Sequence, residues 1–103
     1  MNMKIYIAGK ISGDPGYKEK SAAAAAVLRC RWPEAVILNP ASLPEKMTPG
    51  DYMAICLPML LRAGVVAFLP DWQRSNGASI ERALAAYVGK TVIDVEEVRN
   101  ARG

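Results

Sequence analysis

The apolar positions of this chain follow two patterns, short runs and longer stretches with helical spacing. Four short runs predict strands: 4–8, 35–38, 65–69 and 91–94. The run 65–69 is apolar without alternation, which is typical of a strand buried on both faces in a parallel sheet. Helical spacing of apolar residues predicts three helices: 17–31, 51–63 and 80–88.

Strands that alternate with helices pair in parallel and are joined by right-handed crossovers. We therefore expect an α/β fold, a small doubly wound (Rossmann- or flavodoxin-like) sandwich with a four- to five-stranded parallel sheet. The length of 103 residues suits one such domain, which we place at residues 3–94. The polar segment 95–103 is predicted to be a tail that frays or forms a last helical turn. Residues 41–50 predict a loop, after which Asp51 caps the next helix.

Composition narrows the chemistry that the chain can perform. It contains no histidine, so catalysis would have to use carboxylates, Tyr, Lys, Cys or backbone dipoles. The net charge is only +3 and the basic residues are scattered, so we expect no nucleic-acid partner. No apolar run approaches the roughly 20 residues of a membrane span, and the first residues show no secretory signal, so we expect a cytoplasmic protein without a membrane partner. Cys30 and Cys56 fall in predicted helices without a CxxC pair and are expected to be core thiols.

The segment 70–81 is the strongest candidate for a site. It follows a buried strand and leads into a helix, at the sheet edge where open α/β folds bind their ligands. Its useful groups are a carboxylate expected in the first helical turn, two hydroxyls, a permissive glycine and an aromatic ring: Glu81, Ser75, Ser79, Gly77 and Trp72. This set suits a sugar or a phosphate.

The loop that follows the first strand is the second candidate. Residues 9–16 include three glycines, which let the backbone approach a ligand closely, and Lys10 and Ser12 add a cation and a hydroxyl. The alternative is a Gly/Pro turn with a solvated lysine. Asn39, after the second strand, either binds a ligand or begins a turn.

Several short motifs, taken in order, carry a resemblance to known proteins. They are residues 3–9, 38–40, 51–53, 69–72 and 75–78, followed by Glu81, Ala83 and Ala85. In this combination the chain resembles the nucleoside 2-deoxyribosyltransferase-like superfamily, and more closely its short branch of bacterial and phage proteins, the DUF4406 family. The resemblance covers residues 3–94.

The resemblance implies cleavage of an N-glycosidic bond in a deoxynucleoside or its 5′-monophosphate. Glu81 stands where such enzymes carry a nucleophilic glutamate, whose charge stabilises an oxocarbenium-like transition state. A helix N-terminus would favour the ionised form of Glu81. The alternative for Glu81 is a glutamate that only complements the helix dipole. Ser75 matches a hydroxyl position of the nucleotide hydrolases, which favours a monophosphate over a nucleoside.

The chain departs from the superfamily where an acid would assist the leaving base. Cys56 and Gly64 stand at positions that are often aspartate, which leaves Asp71, Tyr6 and Tyr52 as possible proton donors. The candidate catalytic residues are therefore Glu81 and Asp71. The candidate substrate-binding residues are Tyr6, Gly9, Lys10, Ile11, Ser12, Gly13, Asn39, Tyr52, Trp72, Ser75, Asn76 and Gly77.

Three functions stay open at this point. They are an N-glycosidic hydrolase or transferase, a non-catalytic nucleotide-binding module on the same fold, and an interaction protein with a vestigial cleft. The resemblance implies no metal and no organic cofactor, and a nucleoside or nucleotide as the small-molecule partner. Because related enzymes complete their sites between subunits, we also expect a homo-oligomer, with the apolar stripe on 51–63 as its interface.

Overall fold

The computed structural model of the protein describes residues 3–101, which form alternating strands and helices. The strands are β1 (Lys4–Ala8), β2 (Val36–Leu38), β3 (Val65–Phe68) and β4 (Thr91–Asp94). The helices are α1 (Tyr17–Arg31), α2 (Pro49–Arg62), α3 (Asn76–Tyr87) and α4 (Val95–Ala101). Two short 3₁₀ turns span Pro40–Ser42 and Trp72–Arg74. None of the helices within residues 3–101 has the length and apolar character needed to cross a membrane.

The four strands form one sheet in the order β2-β1-β3-β4, and every pair is parallel. Ile5 of β1 pairs with Ile37 on one side and with Val65 on the other. The chain therefore moves outward from β1 to β2 and then crosses back to β3 on the opposite side of β1. This arrangement confirms the predicted doubly wound α/β fold, and its switch point lies between β1 and β3.

Helices cover both faces of the sheet, and alternate residues of β1 contact different layers. Ile5 and Ile7 pack in the cluster that contains residues of α1 and α4. Tyr6 and Ala8 pack in the other cluster, with residues of α2 and α3. All four residues are almost fully buried. The side chain of Tyr6 is thereby directed to the layer that α3 occupies.

Helix α1 packs on the sheet through small side chains. Its buried positions Ser21, Ala24, Ala25 and Leu28 repeat at three- and four-residue spacing. Cys30 lies two positions after Leu28, which is nearly opposite on the helix, and it is exposed. The prediction that both cysteines are core thiols is therefore wrong for Cys30, whereas Cys56 is buried.

Helix α2 begins two residues earlier than predicted. Its N-cap is Thr48, whose Oγ1 accepts a hydrogen bond from the backbone N–H of Asp51 at 3.1 Å. The carboxylate of Asp51 in turn accepts from the Thr48 N–H at 3.2 Å, and Pro49 occupies the first helical position. Asp51 is thus the third residue of a capping box and not the N-cap.

Helix α3 also begins earlier than predicted, at Asn76 rather than Ile80. Ser75 is its N-cap, because the Ser75 hydroxyl oxygen accepts from the backbone N–H of Ala78 at 3.1 Å. Glu81 therefore lies in the second turn of α3, and the expectation that it belongs to the first turn is wrong.

The segment predicted to be a polar tail is ordered as α4 as far as Ala101. Val95, its first residue, is fully buried in the same cluster as Ile5 and Leu28. The burial of this one apolar side chain anchors the helix against α1 and the sheet. The last two residues of the predicted tail, 102 and 103, lie outside the described part of the chain.

Candidate functional site

A cavity of about 320 Å³ lies at the carboxyl ends of β1 and β3, at the switch point of the sheet. Its walls come from the loop after β1, from the N-terminal half of α2 and from the segment that runs into α3. Ten of the fourteen candidate site residues line it: Tyr6, Gly9, Lys10, Ile11, Ser12, Tyr52, Ser75, Asn76, Gly77 and Glu81. A volume of this size is typical of small-molecule sites.

Two of the remaining candidates lie behind the cavity wall. Trp72 packs edge-on against Phe68, with ring centroids 5.8 Å apart, and the guanidinium of Arg82 lies 4.5 Å from its ring centroid. Asp71 is buried and accepts hydrogen bonds from the Lys10 backbone and from Lys20. Neither side chain lines the cavity.

The other two candidates, Asn39 and Gly13, stabilise or permit local backbone turns. The side-chain oxygen of Asn39 accepts from the Ala41 N–H at 3.0 Å and caps the first 3₁₀ turn, so Asn39 begins a turn. Gly13 has a φ of +77°, which suits a residue without Cβ, and it lines a neighbouring depression. That depression shares Ile11, Ser12 and Tyr52 with the cavity.

The centre of the cavity is a buried pair of polar groups, the hydroxyl of Tyr6 and the carboxylate of Glu81. The Tyr6 hydroxyl donates a hydrogen bond to Oε2 of Glu81. Only 4% of Glu81 is exposed, and Tyr6 is fully buried. The pair forms because Tyr6 is directed from β1 to the α3 layer and Glu81 projects back from the second turn of α3.

Burial controls the protonation of both groups. It raises the pKa of Glu81 from 4.5 to about 7, although the hydrogen bond from Tyr6 acts in the opposite direction. The expectation that a helix N-terminus favours the ionised form of Glu81 assumed a first-turn position, whereas Glu81 lies in the second turn and burial raises its pKa. Burial, reinforced by the charge of Glu81, raises the pKa of Tyr6 far above its usual value, so Tyr6 stays a neutral donor.

Cys56 of α2 also lines the cavity, and only 3% of it is exposed. Burial raises the pKa of its thiol, with a smaller opposite effect from the hydroxyl of Tyr6. The thiol is therefore neutral at physiological pH. This protonation state makes Cys56 a weak nucleophile, because the thiolate is the reactive form.

The side chains that line the cavity carry more positive than negative charge. Within residues 3–101, Glu81 is the only acidic residue that lines it, whereas Lys10 and Arg74 supply two cations. The ammonium of Lys10 donates to the backbone carbonyl of Arg74 at 3.4 Å, which joins the loops on either side. In the same part of the chain, no group of three or more Cys, Asp or Glu side chains could hold a metal ion.

The family model for DUF4406, a domain of unknown function, matches residues 3–94. The chain belongs to the DUF4406 family. The matched region contains all four strands and the whole cavity, so the site is built entirely within the DUF4406 domain. Comparison with curated proteins found no match.

Some residues that line the cavity of this DUF4406 domain were not among the sequence candidates. They are Pro40, Pro49, Met53, Cys56, Arg74, Ala78 and Ile80. Arg74 could have been found, because it is a cation directly before Ser75 in the candidate segment. Met53 and Ile80 carry no such signal, since an apolar residue on a helix is equally consistent with core, surface or a cavity wall.

Proposed function

We propose that this DUF4406 protein cleaves the N-glycosidic bond of a deoxynucleoside or a deoxynucleoside 5′-monophosphate, with Glu81 as the nucleophile. The observation that supports the proposal most is the buried Glu81–Tyr6 pair at the centre of a small-molecule cavity. The resemblance of the sequence to the nucleoside 2-deoxyribosyltransferase-like superfamily is a second support. Membership of that superfamily is part of what we propose.

Glu81 is suited to attack from within the cavity. Tyr6 holds one oxygen of its carboxylate, and no side-chain oxygen or nitrogen of the described residues is both enclosed and without a partner. The second carboxylate oxygen therefore reaches the cavity. A pKa of about 7 leaves a substantial fraction of Glu81 ionised at neutral pH.

The proposed reaction has two steps. The free Glu81 oxygen forms a bond with C1′ of the sugar while the C1′–N bond breaks, and the electron pair of that bond leaves with the base. Water or a second base then attacks C1′ and releases Glu81. The carboxylate stabilises the oxocarbenium-like transition state of each step because the sugar carries positive charge there.

The cavity walls suit the two ends of a nucleotide. Lys10 and Arg74 supply positive charge and Ser12 adds a hydroxyl, which together suit a phosphate. The N-terminal ends of α2 and α3 supply apolar contacts through Met53 and Ile80, which suit the faces of a base. We therefore favour the 5′-monophosphate over the nucleoside.

A non-catalytic nucleotide-binding module is the second candidate function. The observation that favours it is the absence of another carboxylic acid from the described cavity lining, since glycosidases usually use two. The raised pKa of Tyr6 makes it a poor proton donor, and the hydroxyl of Tyr52 already donates to the Pro44 carbonyl at 3.0 Å. An enzyme with this site would act best on bases that leave without prior protonation.

Release of free base from the four deoxynucleosides and their 5′-monophosphates tests the two candidates. Wild type, Glu81→Gln and the exposed control Glu97→Gln would be compared by chromatography, with and without an acceptor base. We expect release by wild type and by Glu97→Gln, and a loss of roughly a thousandfold or more in Glu81→Gln. Equal release by all three proteins would contradict a role for Glu81. Absence of release together with nucleotide binding in calorimetry would support the binding module.

The homo-oligomer implied by the resemblance stays a prediction. Ile55 and Leu61 of α2, both within the apolar stripe expected at the interface, are exposed in the single chain. Light scattering gives the test. A mass of one 11.1 kDa chain would contradict the prediction, and a multiple of it would support the prediction.

A further inference from the structure

Asp71 is a buried carboxylate that lies outside the cavity and has partners on both of its oxygens. Only 5% of it is exposed. Its Oδ1 accepts from the backbone N–H of Lys10 at 3.1 Å, and its Oδ2 lies 3.2 Å from the ammonium of Lys20. A carboxylate buried at this depth needs such partners, because an unpaired one would carry a large desolvation cost.

Among the described residues, the hydrogen bond that Asp71 accepts from Lys10 is one of two that join the loops on either side of the cavity. The backbone N–H of Lys10 donates to the side chain of Asp71, and the side chain of Lys10 donates to the backbone carbonyl of Arg74. The two bonds thus connect the loop after β1 with the segment after β3 through one residue. The first of them is partly buried, whereas the second is exposed to solvent.

Lys20 extends this network to the far end of the same loop. Its ammonium contacts Asp14 at 2.5 Å as well as Asp71, and Asp14 accepts from the backbone N–H of Gly16 at 2.9 Å. The hydrogen bond with Lys20 is the main reason that the pKa of Asp14 lies below its usual value. Lys20 therefore contacts both acids that hold the loop: Asp71, which binds the backbone of Lys10, and Asp14, which binds the backbone of Gly16.

The loop needs such a tether to serve as a cavity wall. Residues 9–12 line the cavity, yet the loop contains three glycines, whose backbones have the greatest conformational freedom. Among the described residues, the backbone hydrogen bonds of this loop run from the N–H of Asp14 to Ile11 and from Tyr17 to Asp14, both 3.3 Å, and from Lys20 to Gly16 at 3.1 Å. None of them fixes Lys10.

We propose that Asp71 is a positioning residue that holds the Lys10 backbone, and with it the loop wall, in the geometry that binds the ligand. The proposal rests on the proposed function in taking a deoxynucleoside 5′-monophosphate as the ligand. Asp71 acts through Lys10 and contacts neither the substrate nor the reacting atoms. It therefore determines affinity and leaves the chemical step to Glu81.

Three substitutions separate the contributions of the two partners of Asp71. Asp71→Ala removes both contacts. Asp71→Asn keeps an oxygen that can accept from Lys10 and removes the charge that faces Lys20. Lys20→Met removes the ammonium and keeps an apolar side chain of similar length. Gln73→Ala, exposed in the same segment, is the matched control.

Hydrogen–deuterium exchange tests the tether in the 103-residue chain without any ligand. We expect exchange of the amides in 9–13 to increase about tenfold or more in Asp71→Ala, with β1 and β3 unchanged as internal references. Asp71→Asn should restore most of the protection, and Gln73→Ala should match wild type. Unchanged exchange of 9–13 in Asp71→Ala would overturn the proposal, and so would equal effects of Asn and Ala.

Steady-state kinetics with the four deoxynucleoside 5′-monophosphates test the consequence for binding. We expect KM to rise about tenfold in Asp71→Ala, with partial recovery in Asp71→Asn and kcat within about threefold of wild type. A fall in kcat at unchanged KM would overturn the proposal, because it would show that Asp71 takes part in the chemical step. If wild type releases no base, the proposed function fails, and the exchange experiment still decides whether Asp71 holds the loop.

Discussion

The hydroxyl of Tyr6 on β1 donates to the carboxylate of Glu81 on α3, although the two residues are 75 positions apart in the sequence. Both residues are buried, with 4% of Glu81 and 0% of Tyr6 exposed. The hydrogen bond is charge-assisted when Glu81 is ionised, and it opposes the effect of burial on the pKa of Glu81. The ionisation of the proposed nucleophile thus depends on a residue at the opposite end of the domain sequence.

Removal of this donor should make Glu81 harder to ionise. In Tyr6→Phe the opposing hydrogen bond is lost while burial remains, so the pKa of Glu81 should rise further. If Glu81 is the nucleophile, the rising limb of kcat/KM against pH should move to higher pH, and base release at pH 7 should fall about tenfold. Tyr87→Phe is the control, because Tyr87 is 89% exposed and does not line the cavity. Identical pH profiles for Tyr6→Phe and wild type would contradict the coupling.

The raised pKa of Glu81 also predicts how stability depends on pH. Between pH 4.5 and about 7 the folded state binds more protons than the unfolded state, because burial favours the protonated carboxyl. The free energy of unfolding should therefore fall as pH rises through this window, by about 3 kcal/mol from Glu81 alone. Urea denaturation of wild type and Glu81→Gln at several pH values measures this contribution. A difference between the two proteins that does not change between pH 4.5 and 7.5 would exclude it.

Two glycines near the cavity should respond differently to alanine. A Cβ on Gly9 would lie 2.4 Å from Cδ1 and 3.0 Å from Cβ of Leu69, which is buried. Gly9→Ala should therefore lower the free energy of unfolding by about 1–3 kcal/mol through overpacking. On Gly77 the Cβ would lie 3.0 Å from the terminal methyl of Met53, which can move, and 3.9 Å from Oγ of Ser75. Gly77→Ala should be neutral or stabilising by about 0.5 kcal/mol, since alanine favours the helix. Denaturant titrations that give the reverse order would contradict this packing.

Val95 should contribute to stability as a core residue does. Because it is fully buried, Val95→Ala should lower the free energy of unfolding by about 1–2 kcal/mol. Val88→Ala is the matched control, since Val88 is 40% exposed and should change stability by less than about 0.5 kcal/mol. Equal effects of the two substitutions would show that α4 is not anchored through Val95.

The sequence was sufficient to predict the fold because each strand is a short apolar run and each crossover carries a helix. The unbroken run at Val65 to Leu69 predicted a strand covered on both faces, and the structure buries it between two helical layers. Helix starts were harder to predict. Thr48 and Ser75 cap α2 and α3 through their own side chains, and a single Ser or Thr in a polar segment does not show which one will do so.

The site could be predicted only in part, for a physical reason. Residues 9–12 and 74–77 could be placed at one sheet edge, because the ends of parallel strands meet there. Which side chains enter the cavity depends on the rotation of each strand and helix. Trp72 and Asp71 lie close to Arg74 in sequence, yet neither enters the cavity. Trp72 packs against Phe68, and Asp71 accepts a hydrogen bond from the backbone of Lys10. The pKa of Glu81 likewise follows from its depth, which no local pattern reveals.

The cavity forms only when the parallel sheet is complete. In its central strand pair, β1 and β3, Ile5 lies opposite Val65, and no neighbouring strands of the sheet are joined by a hairpin. Long chain segments must therefore close before β1 and β3 pair, which makes such topologies slow to form. The two walls of the cavity and the Tyr6–Glu81 pair have no local precursor, so a partly folded chain has no binding site. Any ligand of this cavity will bind the native state alone and will raise the melting temperature in proportion to the logarithm of its concentration, which makes thermal shift a direct way to search for it.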